Sequence, residues 1–208
     1  MLVGMGRPRE HDGATADRLI TAATHMLDGD GIEALSLRVL AERVDTTTRA
    51  VYALFGSKQG LVDAVVARGF RELEERMGRA SDSSGDALAE LVLAALEIRE
   101  YARGHRALFE LMFRHSEDPY WHETPDVHEA SRQSLAVLRD RVAAIAAAGL
   151  VQQDDLRELL WCFRGLCEGL GGLEASGVLG EEWSADVWRT GVTALVRGMR
   201  PDLRSSSA

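Results

Sequence analysis

Apolar residues recur along this chain at helical spacing, and no stretch alternates apolar with polar positions as a half-buried strand would. Over residues 14–29, Leu19, Ile20, Ala23, Met26 and Leu27 mark one helical face, and Gly29 with Gly31 supplies a stop. Ser36 stands where an N-cap belongs, ahead of Leu37, Leu40, Ala41 and Val44 at i, i+3, i+4 and i+7. Asp45-Thr46-Thr47 then interrupts the pattern, because such side chains compete for backbone hydrogen bonds. A short helix is predicted over 48–54, with Val51 and Phe55 turned inward, and Gly56-Ser57 breaks it. Ser57 is placed to cap a long helix over 58–79, whose buried side carries Leu61, Val65, Phe70, Leu73 and Met77.

Residues 81–85 form a polar stretch and the expected seam between two parts of the chain. Beyond it the spacing predicts helices over 86–102, 105–114, 126–148, 154–175 and 185–199, with a polar, proline-bounded loop over 115–125. Residues 1–13 are expected to be a flexible arm bearing Arg7 and Arg9, and the chain beyond Pro201 a frayed tail. The fold class is all-α. An N-terminal three-helix domain over 1–62 is joined by the long helix to a helical domain over 63–208.

Two short helices joined by a tight polar turn, with a longer helix in front, describe a helix-turn-helix. Its DNA-binding form lays the second helix in the major groove, N-terminal residues against base edges. Thr46, Thr47, Thr48 and Arg49 occupy that end here, and Tyr52 lies a turn later. Hydroxyls and a guanidinium suit base edges and phosphates. Pattern alone leaves a purely structural helical hairpin open.

Charge changes the picture in one place. The chain carries 24 basic and 33 acidic residues, a net −9, which argues against wholesale wrapping of nucleic acid but not against a local DNA surface. Residues 1–60 hold seven basic and eight acidic residues and are nearly neutral; the rest of the chain is acidic. Lys58 is the only lysine. It sits in the first turn of its helix, where the macrodipole disfavours a cation unless an anion such as a DNA phosphate docks at the same end. An exposed lysine without a role is the other reading.

The segment resembles the N-terminal DNA-binding domain of the TetR family of transcriptional regulators. Leu40-Ala41, the Thr46-Thr47 turn, Val51-Tyr52, Phe55-Gly56-Ser57-Lys58 and Leu61 carry the likeness, over roughly residues 14–62. It implies that Thr47, Thr48, Arg49 and Tyr52 face operator DNA and that Lys58 meets a phosphate. Arg38 and Thr46 complete the expected double-stranded DNA contacts. Asp45 and Thr46 stand where the family usually has glycine and an apolar residue; Asp45 can accept a left-handed conformation, but it brings a carboxylate towards the DNA.

The resemblance further implies a C-terminal half that binds a small-molecule effector and forms a homodimer. Residues 103–113 and 160–174 look like the subgroup of C-terminal domains with a Trp/His/Gly signature, with Arg164-Gly165 in place of the usual His-Gly. Tyr101, Leu108, Phe109, Met112, Phe113, Trp161, Phe163 and Cys167 are either core or the lining of a cavity. Arg164 and Glu168 share a helix face, and two readings stay open: they pair with each other, or they orient a ligand. Gly165, Gly169 and Gly172 give one smooth face, suggesting close approach by a partner helix. With Val187, Trp188, Gly191 and Leu195 they form the expected dimer interface, a four-helix arrangement with Ala194 and Gly198 nearby.

Other classes are weaker. His115, Glu117, His122 and His128 match no standard zinc spacing, so no metal or cofactor is expected. Cys162 and Cys167, five apart on a helix, cannot face each other, and such usage fits a reduced, cytoplasmic protein. No signal-peptide run and no membrane-spanning stretch stand out. No nucleophile–base pair, phosphate loop or paired-carboxylate motif supports an enzyme. The expected function is a ligand-responsive repressor; an activator or a protein-binding adaptor is the alternative, and a helical enzyme a remote one.

Overall fold

The computed structural model describes residues 9–80, 85–113 and 124–200. Among these residues the regular structure is entirely helical: α1 Arg9–Asp30, α2 Leu37–Arg43, α3 Thr48–Phe55, α4 Lys58–Arg79, α5 Ala87–Gly104, α6 Arg106–Phe113, α7 Pro125–Ala147, α8 Leu156–Ala175 and α9 Glu181–Gly198. Short 3-10 turns over Ile32–Ala34 and Gln153–Asp155 precede α2 and α8.

Side-chain caps set several of these starts. Thr47 accepts from the Ala50 N–H at 3.1 Å at the head of α3, and Ser57 accepts from the Gly60 N–H at 2.9 Å at the head of α4. Asp86 accepts from the N–H groups of Leu88 and Ala89. Each such cap contributes about 1 kcal/mol. Ser36 occupies the N-cap position of α2, yet its side chain makes no cap hydrogen bond. Gly60 has a steric reason: an added Cβ would stand 2.0 Å from the Phe55 carbonyl oxygen.

Two boundaries differ from the sequence expectation. The helix α1 begins at Arg9, so residues 9–13 are not part of an arm. Its first turns have no apolar stripe to betray them, but acidic Asp12 suits the positive end of the dipole. The last helix begins at Glu181 rather than 185, and Ser184 in its first turn belongs to a buried polar cluster described below. Most of the expected seam, the loop over 115–125 carrying His115, Glu117 and His122, and the tail lie outside the described residues.

One hydrophobic core runs from Leu19, Leu40, Val51 and Leu61 at the front to Leu91, Phe163 and Val192 at the rear. The helix α4 is shared by both parts. It passes unbroken through residues 62 and 63 and packs on α1 and α3 of the front part and on α5, α6 and α7 of the rear. Arg141 of α7 closes the far end of α4, donating to the Met77 carbonyl at 3.1 Å and to the Ala80 carbonyl while pairing with Glu90 of α5. Those carbonyls would otherwise lack helical partners.

At the rear, α5, α8 and α9 meet around buried charge. Arg99 Nε donates to Glu174 at 2.8 Å and to the Ser184 hydroxyl at 2.9 Å, and Trp188 Nε1 donates to the same carboxylate at 3.2 Å. Arg99 also pairs with Glu100. Sharing that carboxylate and hydroxyl fixes the angle at which the three helices cross.

Candidate nucleic-acid interface and internal cavity

The segment α2–turn–α3 is a helix-turn-helix held against α1 and α4 by Leu37, Leu40, Ala41, Val44 and Val51, all buried. Asp45 in the turn has φ 53, the left-handed conformation its side chain tolerates. Arg18 of α1 donates to the Val44 carbonyl at the C-cap of α2 and so ties the turn to the helix behind it. The sequence reading did not single out Arg18; an arginine on the polar side of α1 carries no local signal of that contact.

With the turn fixed, Thr47 and Arg49 are exposed, Thr46 and Thr48 half-buried, and Tyr52 is 53% exposed. All five lie in the first turns of α3 or immediately ahead of it. The Thr47 hydroxyl oxygen is engaged in capping, which leaves its O–H to donate outward. Arg38 on α2 is exposed and paired with Glu42 at 3.5 Å.

Lys58 has a partner within the chain. Its ammonium is half-buried and donates to the Ile32 carbonyl, 3.3 Å away, in the 3-10 turn before α2. A cation at this helix end therefore has a local partner without any phosphate. Two further ammonium protons remain to meet an anion.

A polar junction joins the front of the molecule to α6. Asp28 of α1 accepts from the Leu108 N–H at 3.2 Å and from His105 Nδ1 at 2.8 Å. His105 ends α5, and its ring lies 4.8 Å from that of Tyr101. The hydrogen bond to Asp28 raises the His105 pKa above its ordinary value, against burial, which lowers it; Glu72 raises it further and Arg76 opposes. Tyr101 is buried with its hydroxyl unpartnered among the described residues, and desolvation pushes its pKa far up.

Between α4, α5, α6, α7 and α8 lies a cavity with about 440 Å³ free of protein atoms, its mouth included. From α4, α5 and α6 come Phe70, Leu73, Met77, Ile98, Phe109 and Phe113; from α7 and α8 come Ser131, Ser134, Leu135, Leu138, Arg164, Cys167 and Glu168. The rings of Phe109 and Phe113 lie 4.7 Å apart, and Phe70 meets Phe113 edge-on at 5.8 Å. Arg164 pairs with Glu168. Burial pushes the Cys167 thiol pKa up, so it stands here as an apolar wall rather than a nucleophile.

Of the residues expected to line a ligand site, Phe109, Phe113, Arg164, Cys167 and Glu168 border this cavity. Tyr101 and Met112 do not: they pack on Gly69 of α4, where an added Cβ would stand 2.9 Å from the tyrosine oxygen and 2.8 Å from the methionine sulfur. Leu108 packs there too, and Phe163 is core. Trp161 points outward, 51% exposed, with the Arg164 guanidinium 5.4 Å from its ring centre. The α4 lining was missed because Phe70, Leu73 and Met77 read simply as the buried face of that helix. Ser134 had a signal: it is a hydroxyl in the inward stripe Val127, Ala130, Ser134, Leu138, Val142.

The outer side of α8 and α9 differs from expectation at Trp188. Gly165, Gly169 and Gly172 face open space, with nothing near an added Cβ; the close approach within the chain is at Gly171, against Phe109. Trp188, expected at a subunit interface, is 0% exposed and bonded to Glu174, so it belongs to the core of this chain. Val187, Gly191 and Leu195 are half-buried, and Gly191 borders Leu166 of α8. Trp161, Leu173 and Trp183 are the large apolar side chains exposed on these two helices.

A helix-turn-helix presenting hydroxyls, an arginine and a tyrosine, backed by a helical bundle, is the architecture of a DNA-binding transcriptional regulator. Residues 19–65 match the family of bacterial regulatory proteins, tetR family, and residues 91–198 match the tetracyclin repressor-like C-terminal domain. The chain belongs to the TetR family of DNA-binding transcriptional regulators, which are not enzymes. No curated protein matches it in sequence.

Solved structures share the fold. A protein of unknown function from Rhodococcus sp. RHA1 is 26% identical with a TM-score of 0.76, over 89% of this chain and 95% of that one. A bacterial regulatory protein in the tetR family from Rhodococcus RHA1 is 18% identical with a TM-score of 0.65, over 89% and 97%. A TetR variant from Acinetobacter baumannii AYE, in complex with minocycline, is 21% identical with a TM-score of 0.59, over 86% and 93%. Among the described residues no helix is long and apolar enough to cross a membrane, and no group of three or more potential metal ligands occurs.

Proposed function

We propose that the protein is a homodimeric repressor that leaves its operator when a small molecule fills the cavity. The observation that carries this reading is the course of α4. One unbroken helix bears Phe70, Leu73 and Met77 in the cavity wall and Lys58 beside the helix-turn-helix. A ligand that prefers a wider cavity would shift the population towards a different α4 position, and with it the reading head.

In this reading Thr46, Thr47, Thr48, Arg49 and Tyr52 address base edges and phosphates, and Arg38 and Lys58 address the backbone. The exposed side of α8 and α9 is the dimer surface. Trp161, Leu173 and Trp183 supply apolar area, and Gly165, Gly169 and Gly172 permit close approach. Two recognition helices would then stand about 34–36 Å apart, or slightly more, to meet successive major grooves.

The test is binding to DNA flanking the protein's own gene. Tyr52→Ala and Lys58→Ala should each weaken sequence-selective binding, and Lys58→Ala should lower the salt slope by about 1. Selective binding indifferent to both substitutions would overturn the assignment of the face. A single sedimenting monomer at micromolar concentration would overturn the dimer.

A further inference from the structure

The cavity wall contributed by α7 and α8 carries the polar groups, and the wall from α4, α5 and α6 carries none. This division, together with how the polar groups are already engaged, points to the class of ligand. The inference rests on reading the cavity as the effector site.

Arg164 and Glu168 are paired with each other, each less than a third exposed. Their charges cancel, so the wall offers no net counter-charge to an ion. An anionic ligand reaching Arg164 would have to displace Glu168, leaving a half-buried carboxylate unpaired beside it. A cationic ligand reaching Glu168 would strand Arg164 in the same way. Breaking a sheltered pair by competing for one member is unfavourable, because the released partner keeps its desolvation penalty.

Ser134 presents the opposite situation. It is 6% exposed, lines the cavity, and forms no hydrogen bond with any described residue. Its oxygen is not fully enclosed, unlike that of Tyr101, so it opens to the cavity from an otherwise apolar stripe of α7. A ligand hydroxyl, carbonyl or amide would complete it. Opposite, Phe70, Leu73, Phe109 and Phe113 accept only apolar surface. Much of the free space is the open mouth, and the enclosed part is smaller than an ordinary ligand site, so the body must be compact.

We propose that the effector is a small uncharged molecule with a compact apolar body and a single hydrogen-bonding head that meets Ser134, leaving the Arg164–Glu168 pair intact. Fatty acids, other carboxylates and amines are disfavoured by the same pair.

The experiment uses the full chain at neutral pH and two matched series: phenylpropanol, phenylpropanoate and phenylpropylammonium, then octanol, octanoate and octylammonium. Affinity is read by calorimetry and release by fluorescence anisotropy of bound operator DNA. The alcohol of at least one series should bind roughly tenfold more tightly than its ions. Ser134→Ala should weaken it by about two- to tenfold, the value of one neutral hydrogen bond. Glu168→Gln should leave the alcohol within about threefold and raise carboxylate affinity by roughly tenfold, because Arg164 is then free. Tighter binding of an ion to the unmodified protein, affinities indifferent to both substitutions, or no binding by either series would overturn the ligand class. If the ion that binds more tightly also releases DNA, the ligand class falls and the effector reading stands. If the alcohol binds as stated but leaves DNA affinity unchanged, the ligand class stands and the effector reading falls.

Discussion

His105 Nδ1 lies 2.8 Å from the Asp28 carboxylate, bridging the end of α5 to α1 at the point where α6 begins. The hydrogen bond raises the imidazole pKa above its ordinary 6.5. A group whose pKa is raised on folding stabilises the fold fully below its unfolded value and loses that contribution as pH climbs through the folded one. The melting temperature of the protein should therefore exceed that of His105→Asn by most in mild acid, and the gap should narrow as pH rises past neutrality. Asp28→Asn, which keeps an acceptor for the Leu108 N–H, should abolish the same pH dependence. A gap independent of pH would remove the charge from this contact.

Glycines on α8 should respond with opposite signs. An added Cβ at Gly171 would stand 2.5 Å from two ring atoms of Phe109, so Gly171→Ala should destabilise by about 1–3 kcal/mol. At Gly165 the space is open, and alanine should stabilise the isolated subunit by roughly 0.5–1 kcal/mol through helix propensity. If that face is the dimer surface, Gly165→Ala should at the same time weaken self-association. Denaturant melts paired with sedimentation at varied concentration separate the two effects.

The cluster around Arg99 should be intolerant of partial removal. Arg99→Ala leaves Glu174, whose side chain is 4% exposed, without its cation, at a cost of about 3–5 kcal/mol. Trp188→Phe removes one hydrogen bond to that carboxylate and preserves most of the packing, so its cost should be smaller. A double-mutant cycle between Arg99 and Trp188 should give a clear coupling energy, since both act on one oxygen. Additivity would show that the cluster does not act as a unit.

Asp45 separates conformation from charge. Asp45→Ala forces a β-carbon without a compensating polar group into the left-handed region and should destabilise by about 1 kcal/mol. Asp45→Asn keeps the conformational tolerance and removes the carboxylate beside the proposed DNA face. It should leave the melting temperature nearly unchanged and tighten DNA binding most at low salt, where charge is least screened. Unaltered affinity for the asparagine variant would place Asp45 away from the phosphates.

The front of the molecule was legible to within a residue or two from α2 to α4. Thr47, Gly56 and Ser57 act on backbone groups no more than four residues away, and Val51 and Leu61 sit on periodic faces. Lys58 was legible as an anomaly but not as a contact. Its partner, Ile32, is 26 positions earlier, and nothing at either position announces the other. Arg18 escaped for the same reason.

The rear shows where periodicity stops being informative. Trp161 and Trp188 both lie among apolar and small residues, yet one faces outward and the other is enclosed. Tyr101 and Met112 look as suitable for a ligand as Phe109, but Gly69 of α4 draws them to a different contact.

By itself the sequence determined that the chain is helical, where most helices start and stop, and that one helix-turn-helix presents threonines, an arginine and a tyrosine. Caps, turn conformations and apolar stripes operate over a few residues and are written locally. Only the tertiary structure decided which polar side chains are already satisfied, which glycine meets a ring, and that α4 lines a cavity while flanking the reading head. Those outcomes depend on neighbours from distant segments, and a side chain's chemistry does not state what will be packed against it.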